Sequence, residues 1–163
     1  MMELENYRED GEGRALYWGE YRWTHETLAD IQPGERLPQH TLVCFLSGSN
    51  FLPTHFDLRK VDRNPLDGVP YPGKSSHIAF TYDRDTTYEA ILDRKPKRGE
   101  SVSYATVGQL AEIGFVAFYA PLPNTPLHIR LVHQAHLQDP QRLDVPFRSR
   151  KKLADLLNTR AGV

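Results

Sequence analysis

Cys44 is the only cysteine among the 163 residues, so the chain closes no internal disulfide and supports no zinc site built mainly from cysteine. Its neighbours Leu42, Val43, Phe45 and Leu46 are apolar, which predicts a buried, inert thiol rather than a nucleophile. Also missing is any apolar run near the roughly 20 residues needed to span a bilayer. The first residues, Met1-Met2-Glu3-Leu4-Glu5, are acidic where an export signal would be basic and then apolar. Together these absences predict a cytoplasmic protein with no membrane partner. Net charge is only −1, far from the strongly basic balance of a dedicated nucleic-acid binder.

What the chain does contain is a hydrophobic fraction of 39% with 10% aromatics, enough for one core in a chain of this size. The expected organisation is a flexible acidic arm over 1–13, marked by Glu9-Asp10-Gly11-Glu12-Gly13, then a single domain over 14–163. Charge is uneven along it. Residues 1–35 hold nine acids and three bases, whereas 94–163 hold eleven bases and five acids. The basic residues cluster in Arg94-Lys95-Pro96-Lys97-Arg98 and Arg148-Ser149-Arg150-Lys151-Lys152. Either cluster can pair with phosphates or form a solvated loop and a helix start.

Periodicity and turn residues predict strands at 15–18, 41–46, 77–82, 101–104, 115–119 and 127–133, and helices at 24–31, 106–113 and from Ser149 onward. Leu127, Ile129 and Leu131 alternate with His128 and Arg130, which predicts an antiparallel partner for 115–119 with one wet face. Residues 85–92 read either as a helix capped by Asp85 or Thr86 or as an extension of the sheet. Pro53, Pro65, Pro70 and Pro72 with Gly68 and Gly73 make 52–76 a long loop and a candidate lid or binding segment. Strands and helices follow no repeating strand-helix-strand period. The fold class is therefore α+β, mainly an antiparallel sheet with a few short helices.

Residues Gly68 to Ser75 satisfy the phosphate-loop spacing of Gly, four residues, then Gly-Lys-Ser. That motif needs a strand before it and a helix start after it, whose N–H groups hold the phosphates. Here the upstream run 58–65 is heavily charged, His77-Ile78-Ala79-Phe80-Thr81-Tyr82 reads as a strand, and Pro70 and Pro72 remove donors. The string is read as a turn entering a strand.

Seven histidines raise the question of a metal. His133, His136 and Asp139 have helical spacing, but His133 falls at a strand end and Pro140 stops a helix; His40, His55 or His77 would have to join through space. No metal site is predicted. Ser47-Gly48-Ser49 lacks the glycine flanks of a nucleophile elbow, so no serine hydrolase is predicted either.

One constellation carries a resemblance. Tyr21-Arg22-Trp23 precedes a short helix and Pro33-Gly34-Glu35, a strand then ends in Phe45-Leu46-Ser47-Gly48-Ser49, and Tyr88-Glu89-Ala90-Ile91-Leu92 comes further on. Across 21–92 this resembles the arginine-serine-glutamate class of ADP-ribosyltransferases, which carry Tyr-Arg-Gly on a first strand, Phe-x-Ser-Thr-Ser on a later one and a glutamate on a third. It departs from them at Gly48 and at Thr87, where the arginine-directed members have glutamate or glutamine. The resemblance implies NAD as cofactor, and ADP-ribosyl transfer or NAD glycohydrolysis as activity. Arg22 would bind NAD, with Arg14 the alternative for that role, Ser47 would orient Glu89, and Glu89 would stabilise the oxocarbenium-like charge as the nicotinamide bond breaks.

The competing expectation is a non-enzymatic interaction domain: an inhibitor, an immunity-like protein or an assembly component. Tyr17, Trp18, Tyr21 and Trp23 with the proline-rich loop would then form the surface for a protein partner. The two expectations differ in what the fold must do. An enzyme gathers Arg22, Ser47 and Glu89 into one pocket, whereas a binding protein spreads them and exposes an apolar patch.

Overall fold

Five strands form one antiparallel sheet in the computed structural model, which describes residues 31–48, 50–56, 73–139, 141–142 and 144–160. They are β1 (Leu42–Ser47), β2 (Lys74–Ile78), β3 (Ser101–Thr106), β4 (Phe115–Tyr119) and β5 (His128–His133). Their spatial order is β3-β1-β2-β5-β4. The helices are α1 (Arg84–Leu92), α2 (Val107–Glu112), α3 (Gln134–Gln138) and α4 (Phe147–Arg160), with a 3-10 turn at Pro53–Phe56. The α+β reading holds. The expected strand at 15–18, most of the expected helix at 24–31 and the acidic arm lie outside the described residues.

The ladders are of unequal length. β1 pairs with β3 from Leu42↔Thr106 to Ser47↔Ser101, and β4 with β5 from Phe115↔His133 to Tyr119↔Ile129. Between β1 and β2 only Val43↔Ile78 and Cys44↔His77 are in register. Beyond that point β1 runs on against β3 while β2 runs on against β5, with pairs from Lys74↔Leu131 to His77↔His128.

Alternation assigns the two faces. Val43, Phe45, Ile78, Ala105, Ile129 and Leu131 pack in one cluster with Leu153 and Leu157 of α4. Each such buried leucine or isoleucine contributes about 1.5–3 kcal/mol relative to exposure. Ser103 on that face donates its hydroxyl to the Leu157 carbonyl at 2.7 Å, tying β3 to α4. On the opposite face Leu42, Cys44, Val102 and Tyr104 pack against Tyr88 of α1. Cys44 is fully buried, and burial pushes its thiol pKa well above the ordinary value, as its apolar neighbours predict.

Several local expectations change. The strand predicted at 77–82 starts at Lys74 and ends at Ile78, because pairing with β5 recruits the polar Lys74-Ser75-Ser76 through backbone bonds. The face of β5 predicted to be wet is buried: His128 is 6% exposed and Arg130 4%. Ser149 lies inside α4 instead of capping it, and its hydroxyl meets His133 Nε2 at 3.1 Å. Residues 85–92 are helical, and the cap is Asp83, neither Asp85 nor Thr86. Asp83 accepts the Thr86 N–H at 2.9 Å and the Thr86 hydroxyl at 2.6 Å, satisfying a first-turn donor. Thr106 caps α2 in a full capping box with Gln109. Among the described residues no helix is long and apolar enough to cross a membrane.

Candidate functional site

Where β1 and β2 separate, a cleft of about 420 Å³ opens. Because it lies in a gap of the sheet, residues from both strand faces line it: Phe45 and Ser47 with Lys74 and Ser76, and Cys44 and Leu46 with Ser75 and His77. Gly48, Phe51 and His55 complete the lining.

Phe51 is the apolar wall. Its ring meets Phe45 edge-on at 6.3 Å and stacks on Phe56 at 6.0 Å. Its backbone is clasped by the side chain of Asn158 in α4. His55 Nδ1 accepts the Leu52 N–H at 3.1 Å. In the neutral ring that leaves the proton on Nε2, so exposed His55 presents a donor. Lys74 adds the cationic side chain. No aspartate or glutamate is among the described residues lining the cleft.

Gly73 serves the strand that carries Lys74. A Cβ there would fall 2.5 Å from Arg130 Cγ and 2.7 Å from the Leu131 carbonyl oxygen, so only glycine lets the chain run this close to β5. Lys74–Ile78 is a strand. Gly73-Lys74-Ser75 therefore leads into extended chain, where a phosphate loop requires the start of a helix.

Ser75 and His128 meet diagonally across β2 and β5. The hydroxyl of Ser75, an exposed residue, lies 2.9 Å from His128 Nε2 in a part-buried contact, and His128 Nδ1 lies 2.7 Å from the Ala120 carbonyl oxygen. A carbonyl only accepts, so Nδ1 carries the proton and, in the neutral ring, Nε2 is the acceptor for the serine O–H. The backbone reinforces this, since the Ala120 N–H donates to the His128 carbonyl at 3.1 Å. His77 stands edge-on to His128 with centroids 5.6 Å apart. Burial, with a smaller contribution from His128, lowers the His77 pKa to about 4, so His77 is neutral at pH 7.

The residues implied by the resemblance are distributed unequally. Arg14 and Arg22 lie outside the described residues, as do Tyr17, Trp18, Tyr21 and Trp23. Ser47 lines the cleft, half-buried at the end of β1. Glu89 is exposed on α1 and does not line the cleft; Thr87 and Tyr88 are the residues that α1 turns inward. Thr87 Oγ1 is 2.8 Å from the Tyr104 hydroxyl, and Tyr88 donates to the Ser101 carbonyl at 2.8 Å. A helix brings two adjacent residues inward here and leaves the third to solvent, where a strand would have alternated.

The other candidates are tied into local structure. His133 ends β5 and caps α3, accepting the Ala135 N–H at 3.1 Å. No group of three or more histidine, cysteine, aspartate or glutamate side chains suited to a metal occurs among the described residues. Arg94 forks onto Glu100, with N···O distances of 2.8 and 3.0 Å, and lies 5.6 Å from the Tyr88 ring. The Arg94 hydrogen bond, more than any other contact, holds the Glu100 pKa at about 2. Among the described residues, the large exposed apolar side chains, Leu52, Leu92 and Phe147, sit on three separate segments.

Sequence reasoning did not single out Ser75 with His128. Fifty-three positions separate them, and only the β2–β5 register joins them. The available signal was Ser75 and His77 alternating on one strand and His128 and Arg130 on another. Comparison with protein-family models, with curated proteins and with solved structures finds no match for this chain.

Proposed function

We propose that the cleft between β1 and β2 binds a small ligand carrying phosphate or another anionic group. The observation that carries this reading is its lining: Lys74 and the His55 ring, with the serines Ser47 and Ser76 and no carboxylate among the described lining residues. Donors and a cation without a competing anion favour a negative ligand electrostatically. The volume of about 420 Å³ falls in the usual range for small-ligand pockets, about 300–1,000 Å³, and Phe45 and Phe51 offer an apolar wall for a ring.

NAD, the cofactor implied by the resemblance to ADP-ribosyltransferases, belongs to this ligand class, and Ser47 is the residue that links the two readings. Exposed Glu89 gives no support to transfer chemistry in this cleft. Titration calorimetry with ADP and with NAD, on the wild type and on Lys74→Ala, tests the proposal. Binding of either at millimolar concentration or below, weakened at least about tenfold by Lys74→Ala, is the expected result; a tenfold loss corresponds to about 1.4 kcal/mol. Absence of binding by both, or binding indifferent to Lys74→Ala, overturns it.

A further inference from the structure

We infer that Ser75 and His128 form a nucleophile and general base for acyl transfer, acting on a carboxylic ester held in the cleft. The inference rests on the cleft being a ligand site, and its own evidence is geometric. A serine hydroxyl becomes a nucleophile when a histidine nitrogen within about 2.6–3.2 Å accepts its proton and a third group orients that histidine. Here the serine-histidine distance is 2.9 Å and the orienting acceptor is the Ala120 carbonyl at 2.7 Å. The parts are arranged by access as well. Ser75 is exposed and lines the cleft, whereas His128 is buried behind it.

His77 is the other ionisable ring against His128, at 5.6 Å. Being neutral at pH 7, it adds no charge repulsion when His128 takes up a proton. The dyad sits on two paired strands, not on a strand-to-helix elbow, so no glycine-flanked motif announces it.

In the first step Ser75 Oγ bonds to the ester carbonyl carbon while its proton passes to His128 Nε2. The tetrahedral adduct then breaks its carbon–oxygen bond to the alcohol, which leaves with that proton. Water adds to the acyl carbon, giving its proton to His128 Nε2. That proton returns to Ser75 Oγ as the acyl bond breaks and the carboxylic acid departs.

Two neutral reagents test this: phenylmethanesulfonyl fluoride, followed by intact-mass and peptide-mapping spectrometry, and p-nitrophenyl acetate, followed by nitrophenol release. The expected result is a single adduct at Ser75, with ester hydrolysis lost in Ser75→Ala. His128→Asn keeps an N–H toward the Ala120 carbonyl but removes the base, and should slow labelling by about 100-fold, the lower range of general-base effects. An adduct elsewhere, no adduct, or equal labelling of wild type and a folded His128→Asn would overturn it. If His128→Asn fails to fold, the exposed-site variant decides: unchanged hydrolysis by Ser75→Ala sinks the inference. Since neither reagent is anionic, labelled Ser75 without ADP or NAD binding leaves the dyad and removes the anion site, and the reverse pattern does the opposite.

Discussion

The side-chain amide of Asn158 holds the backbone of Phe51 from both sides, accepting its N–H at 2.7 Å and donating to its carbonyl at 2.9 Å. These residues are 107 positions apart, so α4 fixes the apolar wall of a cleft built from the first half of the chain. Asn158→Ala deletes both bonds and strands two part-buried backbone groups. The expected loss is about 1–3 kcal/mol, read as a lower urea midpoint with an unchanged m-value. Weaker ADP binding should accompany it.

Gly73→Ala tests whether the close approach of the chain to β5 is needed. The added methyl meets backbone at 2.7 Å as well as the flexible Arg130 stem at 2.5 Å, and backbone cannot rotate away. Destabilisation of about 1–3 kcal/mol is expected from overpacking, measured by chemical denaturation. A variant as stable as the wild type would show that β2 shifts freely on β5.

Acid should weaken the fold through His77. Its folded-state pKa of about 4 lies below the ordinary 6.5, so between those values the unfolded chain binds more protons than the folded one. Stability then falls as pH drops from about 6.5 and this contribution levels off near 4. The buried His133 is also lowered, chiefly by burial, and acts in the same direction. His77→Gln should flatten the fall in urea midpoint over that window without abolishing it.

Glu89→Ala should change stability by less than about 0.5 kcal/mol, as exposed substitutions usually do, and leave ADP or NAD affinity unchanged. NAD consumption by the wild type that vanishes in this variant would instead restore the role that the resemblance implies for Glu89.

Phe115–Tyr119 is legible in the sequence because five apolar residues, two of them phenylalanine, have no better use than a buried strand. Thr106 with Gln109 likewise announces α2 through local hydrogen bonding alone. Legibility fails where tertiary pairing supplies the reason. Lys74-Ser75-Ser76 carries no strand signal of its own, and becomes strand because β5 offers its backbone. Alternation in β5 is plain in the sequence, but it points to water as the partner of His128, which is satisfied by Ala120 and Ser75 instead. The cleft obeys the same rule: Ser47, and Lys74 with Ser75, stand out in the sequence through motifs, whereas their meeting with Phe51 and His55 depends on the parting of β1 and β2.

The narrow junction between β1 and β2 divides the sheet into a pair, β3-β1, and a trio, β2-β5-β4. The chain enters the pair with β1, crosses to β2, returns for β3 and crosses again to β4. Neither group of strands is a continuous stretch of sequence, so neither can be excised or folded ahead of the other as a separate module. The two walls of the cleft are laced together by the covalent chain itself, and prising them fully apart means unravelling the molecule.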